Sequence, residues 1–229
     1  VGSAPGGRLS PMSADAGATP VNATSRDTRA ARRVRMPDSL PGPRAGLQWA
    51  QCTAMVFDRA VKIEIWSDVV CPWCYIGKTN LEAALADSGN ADDVEVVFRS
   101  FLLDPSAPVQ PLSAVDHLAE KYGGGRAQAL EMMRQVTAVA AGVGLEYHLE
   151  ESLTGQTLDA HRLLHLAKEH DLQDATASRL FAGHFTEGRS LFDHDSLTSL
   201  AVEAGLPEQD VRTTLEAGTF AADVEADLP

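Results

Sequence analysis

Cysteine is scarce in this chain: three in 229 residues are too few for a disulfide-stapled scaffold. No apolar run approaches the roughly 18 to 20 residues that span a bilayer, which excludes a membrane-spanning helix. Aromatic residues amount to only 6% of the chain, although 44% of it is hydrophobic, so the core must be built mainly from aliphatic side chains. Basic residues are in deficit, with 19 Lys and Arg against 32 Asp and Glu, a net charge of −13. An acidic body repels phosphate backbones, and nucleic acid is therefore excluded as a partner.

The deficit is unevenly spread. Residues 1–60 hold eight Arg and four Asp, net +4, whereas the other 169 hold 11 Lys or Arg against 28 Asp or Glu, net −17. The same 60 residues contain six Pro, six Gly and five Ser but no Ile. Such a stretch buries too little apolar area to offset its ordering entropy, so residues 1–60 are expected to form a disordered extension. Arg32-Arg33 and the apolar stretch Leu47 to Phe57 have the ingredients of an export signal, but Pro37, Pro41, Pro43 and Arg44 break the region between them. An upstream extension before Met55 is the simpler reading.

From Val61 the pattern changes. Val61, Ile63 and Ile65 alternate with Lys62, Glu64 and Trp66, which predicts a strand. After Ser67-Asp68-Val69-Val70 comes Cys71-Pro72-Trp73-Cys74, and then apolar residues at helical spacing from Ile76. A second strand is predicted over Val94 to Leu103. Beyond it only helices are expected: Leu112 to Tyr122, Arg126 to Ala141, Thr157 to His170, Gln173 to Thr186, Asp195 to Ala204, Pro207 to Ala217 and Ala221 to Leu228.

The two cysteines at C-x-x-C spacing admit two chemistries. A zinc site would need a second ligand pair, and neither Cys52 nor the seven scattered histidines supply one at finger or ribbon spacing, so no metal is expected. In a redox site the spacing puts both sulfurs on the first turn of a helix, where unpaired amides and the helix dipole favour a thiolate. Cys71 is then the nucleophile and Cys74 the resolving thiol. Pro72 suits the first helical position, where its missing amide hydrogen costs nothing. Trp73 has two readings: an exposed contact for an incoming peptide or small thiol, or packing against the second strand. His161 and His165 lie four apart without the Glu of a zinc-protease helix, and are expected to be hydrogen-bonded where the helices meet the strands. Met132-Met133 reads as core.

The run Ser67-Asp68-Val69-Val70-Cys71-Pro72-Trp73-Cys74-Tyr75-Ile76-Gly77-Lys78 resembles the active-site signature of the DsbA-like thioredoxin superfamily, in its FrnE-like cytoplasmic branch. Phe98 to Pro105, Thr157 to His165 and Phe185 to Gly188 add to the likeness, which covers Val61 onward. It implies an α/β, thioredoxin-like fold interrupted by an inserted α-helical domain. Residues 61–105 would be the N-terminal half of the thioredoxin-like part and 106–229 the insert. It also implies that Asp68 supports the active site and that Thr157, His161 and Arg162 line a substrate groove. Gln156 stands where the family usually has Asn. The family's cis-proline loop, later strands and closing helix have no counterpart after Leu103, so the chain is expected to be truncated and its two-stranded sheet only marginally stable, with open edges.

The implied activity is dithiol–disulfide exchange on protein or small-molecule thiols in the cytoplasm, with no cofactor beyond glutathione as a co-substrate. Kappa-class glutathione transferases and 2-hydroxychromene-2-carboxylate isomerases share the fold but usually carry serine where Cys71 stands, which makes a glutathione-dependent transferase or isomerase the second reading. A third is an inactive chain whose helical part binds a ligand.

Overall fold

A computed structural model describes residues 61–89 and 91–228, so the expectations for residues 1–60, Cys52 included, lie outside the described residues. The alternating segment forms β1 (Val61–Ser67). A short turn leads into α1 (Pro72–Ser88), which starts with Pro72 in its first turn and ends where Gly89 adopts the left-handed backbone, φ 70°, that a helix stop of this kind requires. A single 3-10 turn over Ala91–Asp93 precedes β2 (Val94–Ser100). The two strands are parallel, with Val61 opposite Val94 and Ser67 opposite Ser100, so both C-terminal ends open toward the start of α1.

β2 stops three residues short of the expected Leu103. The amide of Leu103 turns away from the strand to donate to the Asp68 carboxylate at 2.8 Å, and the amide of Phe101 still reaches Ser67 O at 3.3 Å. Next come β3 (Leu112–Ser113), α2 (Ala114–Tyr122), α3 (Gly125–Gly142), a 3-10 turn at Leu149–Glu151 and β4 (Leu153–Thr154). β3 and β4 pair antiparallel, which corrects the expectation of helices only beyond the second strand. The helix expected from Leu112 begins two residues later because the Ser113 hydroxyl caps it, accepting from the Asp116 amide. The remaining helices are α4 (Leu158–Glu169), α5 (Gln173–Phe185), α6 (His194–Glu203), α7 (Glu208–Ala217) and α8 (Ala221–Asp227). Among the described residues no helix is long and apolar enough to cross a membrane.

One continuous core joins the β-α-β unit to the helices. Leu163 of α4, Leu180, Phe181 and Phe185 of α5, Leu197 and Leu200 of α6 and Val211 of α7 are fully buried, and Ile76 of α1 and Phe98 of β2 pack into the same cluster. Tyr75 stacks on Phe181 at 5.0 Å between ring centres and also lies against Tyr147 and Phe185. These rings press the first turn of α1 onto α5, which fixes the position of the cysteine-bearing turn.

The outer edge of β2 is not open, contrary to what a bare two-stranded ribbon would suggest. The Gln173 carboxamide acts as a one-residue strand there: its oxygen accepts from Phe98 N at 2.9 Å and its nitrogen donates to Phe98 O at 3.0 Å. At the end of the same edge the Asp227 carboxylate accepts from Ser100 N and from Arg99, both at 2.9 Å. Trp66 Nε1 donates to the Asp227 carbonyl at 2.8 Å, and α8 is thereby fastened to both strands. Gln173→Leu would leave the buried Phe98 amide and carbonyl without partners, at about 1–3 kcal/mol for each orphaned group. Urea unfolding is expected to give a loss of about 2–6 kcal/mol. A loss under about 0.5 kcal/mol would mean that this edge finds other partners.

Candidate active site

Cys71 occupies the N-cap of α1 with extended backbone, φ −92° and ψ 109°. Its amide donates to Asp68 O at 3.0 Å, closing the turn after β1, and its carbonyl accepts from Cys74 N at 3.0 Å. Both cysteines are free and half-buried, and they approach one another to 3.2 Å. This is what C-x-x-C spacing on a first helical turn predicts.

The electrostatics belong to the pair more than to either sulfur. The hydrogen bond to Cys71 pulls Cys74 down to about 6 against the opposing effect of burial, and the Ser67 hydroxyl and the Asp68 amide add to the lowering. The same contact, with burial, pushes Cys71 up, although its sulfur also receives hydrogen bonds from the amides of Cys74 and Trp73. A low pKa confined to Cys71 is therefore not what the geometry supports. The reduced pair holds a single proton between its sulfurs once the first has left, and donors sit on both sides of it. Access separates the two, because Cys71 lines the adjoining cavity and Cys74 does not.

Tyr147, on the loop after α3, was not singled out by the sequence. Its hydroxyl donates to Pro72 O at 2.7 Å, and its own ionisation is pushed up by burial. The peptide unit that takes this bond at its carbonyl presents its other end, the Trp73 amide, to the Cys71 sulfur. Hydrogen bonds in series polarise one another, so the hydroxyl strengthens the donor facing Cys71. The rate of iodoacetamide labelling against pH is expected to show its first midpoint below the free-thiol value of about 8.5. Tyr147→Phe should raise that midpoint by roughly half a unit. A wild-type midpoint at or above the free value would contradict the shared-proton description.

Asp68 sits beneath the cysteines, almost fully buried. Its carboxylate accepts from Leu103 N at 2.8 Å and lies 3.3 Å from His161 Nε2. His161 is itself buried, with Nδ1 unpartnered in the protein. His165, one turn along, bonds the Ser100 hydroxyl and Asp227, both at 3.2 Å, and burial holds its pKa down. Both histidines thus join α4 to the strands, as their spacing on one helical face suggests.

A cavity of about 290 Å³ adjoins Cys71, lined also by Asp68, Pro72 and Trp73. Trp73 is 54% exposed at its mouth, which favours the first of its two readings. Met132 and Met133 line the cavity too, so the pair that reads as core in the sequence has a second face. His184 also reaches the wall, and burial drives its pKa down to about 4, which keeps it neutral at pH 7. The residues expected to form a groove do not border this cavity. Thr157 precedes α4 and is buried, His161 stands behind Asp68, and Arg162 points away to the end of α7 and the turn after it, where its guanidinium donates to Thr219 O at 2.7 Å. Among the described residues no group of three His, Cys, Asp or Glu side chains could hold a metal ion.

Comparison with known proteins gives this geometry its context. An uncharacterized Bacillus subtilis protein, YwbO, is 30% identical over 161 residues, which cover 70% of this chain and 74% of YwbO. The crystal structure of a protein described as a probable DsbA oxidoreductase, from Streptomyces coelicolor, is 42% identical, with a TM-score of 0.69 over 73% of each chain. Cytosolic disulfide reductase DsbM from Pseudomonas aeruginosa, 17% identical, shares the fold with a TM-score of 0.52 over 73% of this chain and 74% of its own. The model of the DSBA-like thioredoxin domain matches residues 62–228, a span that contains every element described above except the first residue of β1, and the chain belongs to that family.

Proposed function

We propose that this chain is a thiol–disulfide oxidoreductase whose Cys71 and Cys74 carry the exchange. The observation that carries the reading is the pair itself: two free thiols at 3.2 Å on the first turn of a helix, one of them opening onto a cavity. In the reducing direction the Cys71 thiolate attacks one sulfur of a disulfide, and the other leaves as a thiolate. Cys74 then attacks Cys71, releasing the second thiol and leaving the Cys71–Cys74 disulfide. Two electrons pass to the substrate, and a thiol reductant restores the dithiol. With reagents reversed the same steps run as an oxidation. Both cysteines are needed for this cycle, which sets it apart from a transferase that uses one nucleophile.

Thiols and disulfides are the partners of this reading, with glutathione as the thiol co-substrate that reduces the protein disulfide and the cytoplasm as the compartment. The solved structure of the neighbouring DsbM with glutathione supports a small thiol in such a fold. Equilibration of the protein with mixtures of reduced and oxidised dithiothreitol tests the reading. Intact-mass and thiol counts are expected to show a loss of two hydrogens and two titratable thiols, at a single midpoint, in the wild type and not in Cys74→Ser. A wild-type protein that keeps both thiols in excess oxidised dithiothreitol would end the proposal.

A further inference from the structure

We infer that the cavity beside Cys71 selects small, uncharged organic disulfides whose body is apolar, an aromatic or branched alkyl group; the inference rests on the exchange reaction proposed above. The walls come from three helices and a turn: Leu118 of α2, Met132, Met133 and Val136 of α3, Leu149 of the 3-10 turn and Phe185 of α5. The rim continues the same chemistry, for Trp73, Leu103, Tyr122 and Leu153 border the opening and are each more than a third exposed. Four large apolar side chains left in water around one mouth stand out on a surface this acidic.

The charges argue against a charged occupant. Lys121 supplies the lysine charge of the wall, and His117 lies 3.4 Å from the Asp104 carboxylate, whose pKa is lowered chiefly by the Ser106 hydroxyl and to a lesser degree by Lys121 and His117. The other carboxylate, Asp68, is buried and already holds Leu103 N and His161. One lysine against two carboxylates leaves no positive surplus for an anion, whereas glutathione disulfide brings four carboxylates against two ammonium groups, a net charge of about −2. Size and shape argue against a polypeptide. About 290 Å³ is the lower end of small-molecule sites, and neither β1 nor β2 contributes to the lining, so among the described residues a peptide finds no long strand edge beside Cys71.

The reaction at this site keeps the balance given above. The Cys71 thiolate joins the sulfur that bears the apolar group, the other sulfur leaves as a thiolate, and Cys74 displaces the apolar thiol as the protein disulfide forms. A dithiol such as dithiothreitol then returns the protein to its reduced state.

The test uses the reduced 229-residue chain and three probes: benzyl 2-hydroxyethyl disulfide, bis(2-hydroxyethyl) disulfide and glutathione disulfide. Each rate of protein oxidation is divided by the rate of the same probe with free dithiothreitol, which removes intrinsic reactivity. The benzyl compound is expected to exceed the hydroxyethyl one by at least about tenfold, the worth of burying a ring in part, and to exceed glutathione disulfide by more. Met132→Lys should bring the benzyl-to-hydroxyethyl ratio toward one and raise glutathione disulfide relative to both. Met132→Gln, close in shape, should reduce the benzyl preference in part if the lysine variant folds poorly. Equal normalised rates for the three probes would overturn the inference, as would glutathione disulfide or a short cystine-bridged peptide outrunning the benzyl compound. If no probe oxidises the protein, the exchange reading falls instead, so the two failures are distinguishable.

Discussion

Cys71→Ser is expected to lower disulfide exchange on the order of a thousandfold or more, the largest effect of any single substitution in this chain. A serine hydroxyl is not ionised near neutral pH, and the sulfur it replaces is the one that borders the cavity. Cys74→Ser should act differently. Cys71 remains in place, with the amides of Trp73 and Cys74 as donors, so attack on a disulfide proceeds, but nothing 3.2 Å away can displace the product. The variant should accumulate a covalent mixed disulfide, seen as a mass increase of one substrate thiol that dithiothreitol removes. Turnover should fall to the rate at which external thiols resolve the adduct. Undiminished exchange by Cys71→Ser would sink the mechanism. So would the adduct appearing on Cys74 in Cys71→Ser as fast as on Cys71 in Cys74→Ser, because access would then not separate the two sulfurs.

Most of the fold was legible because its signals are local. Alternation in Val61 to Trp66, the Pro72 start and helical spacing from Thr157 onward each follow from a few neighbouring residues, and the helices beyond β4 end within a residue or two of where the pattern breaks. β3 and β4 were not legible. Two residues apiece cannot show a period, and their pairing joins Leu112 to Thr154 across more than forty residues. The cysteine pair was read from its spacing, but the partition of its proton was not, since that depends on Ser67 and on amide directions that only the folded turn provides. Tyr147 and Gln173 illustrate the same limit. One hydroxyl on Pro72 O and one carboxamide on Phe98 are contacts 75 residues apart in the chain, and nothing in the local sequence distinguishes these two side chains from ordinary core or surface ones.

Arg162→Ala is expected to destabilise the protein by about 3–5 kcal/mol, because the guanidinium is an internal cap and not a groove residue. The side chain is 5% exposed. Nε donates to Thr219 O, Nη2 to Thr214 O and Leu215 O, and Nη1 pairs with Asp159 one turn back on α4. Thr214 and Leu215 are in the last turn of α7, whose final carbonyls have no partners within the helix. A cation there also complements the negative end of the helix dipole. Resemblance to a family places this helix near the cysteines, but a helix turns about 100° per residue, so His161 can face Asp68 while its neighbour faces α7. Alanine would orphan three carbonyls, leave Asp159 with His194 as its remaining partner and open a void. It would also loosen the turn into α8, whose Asp227 holds β2. In a domain of this size the loss corresponds to about 10 °C in melting temperature. Arg162→Lys should recover part of it, since an ammonium can reach one or two of the carbonyls without the planar fork. At a temperature where both proteins are folded, labelling of Cys71 and the probe ratios should match the wild type. A groove role would give the reverse, an unchanged melting temperature with altered probe ratios.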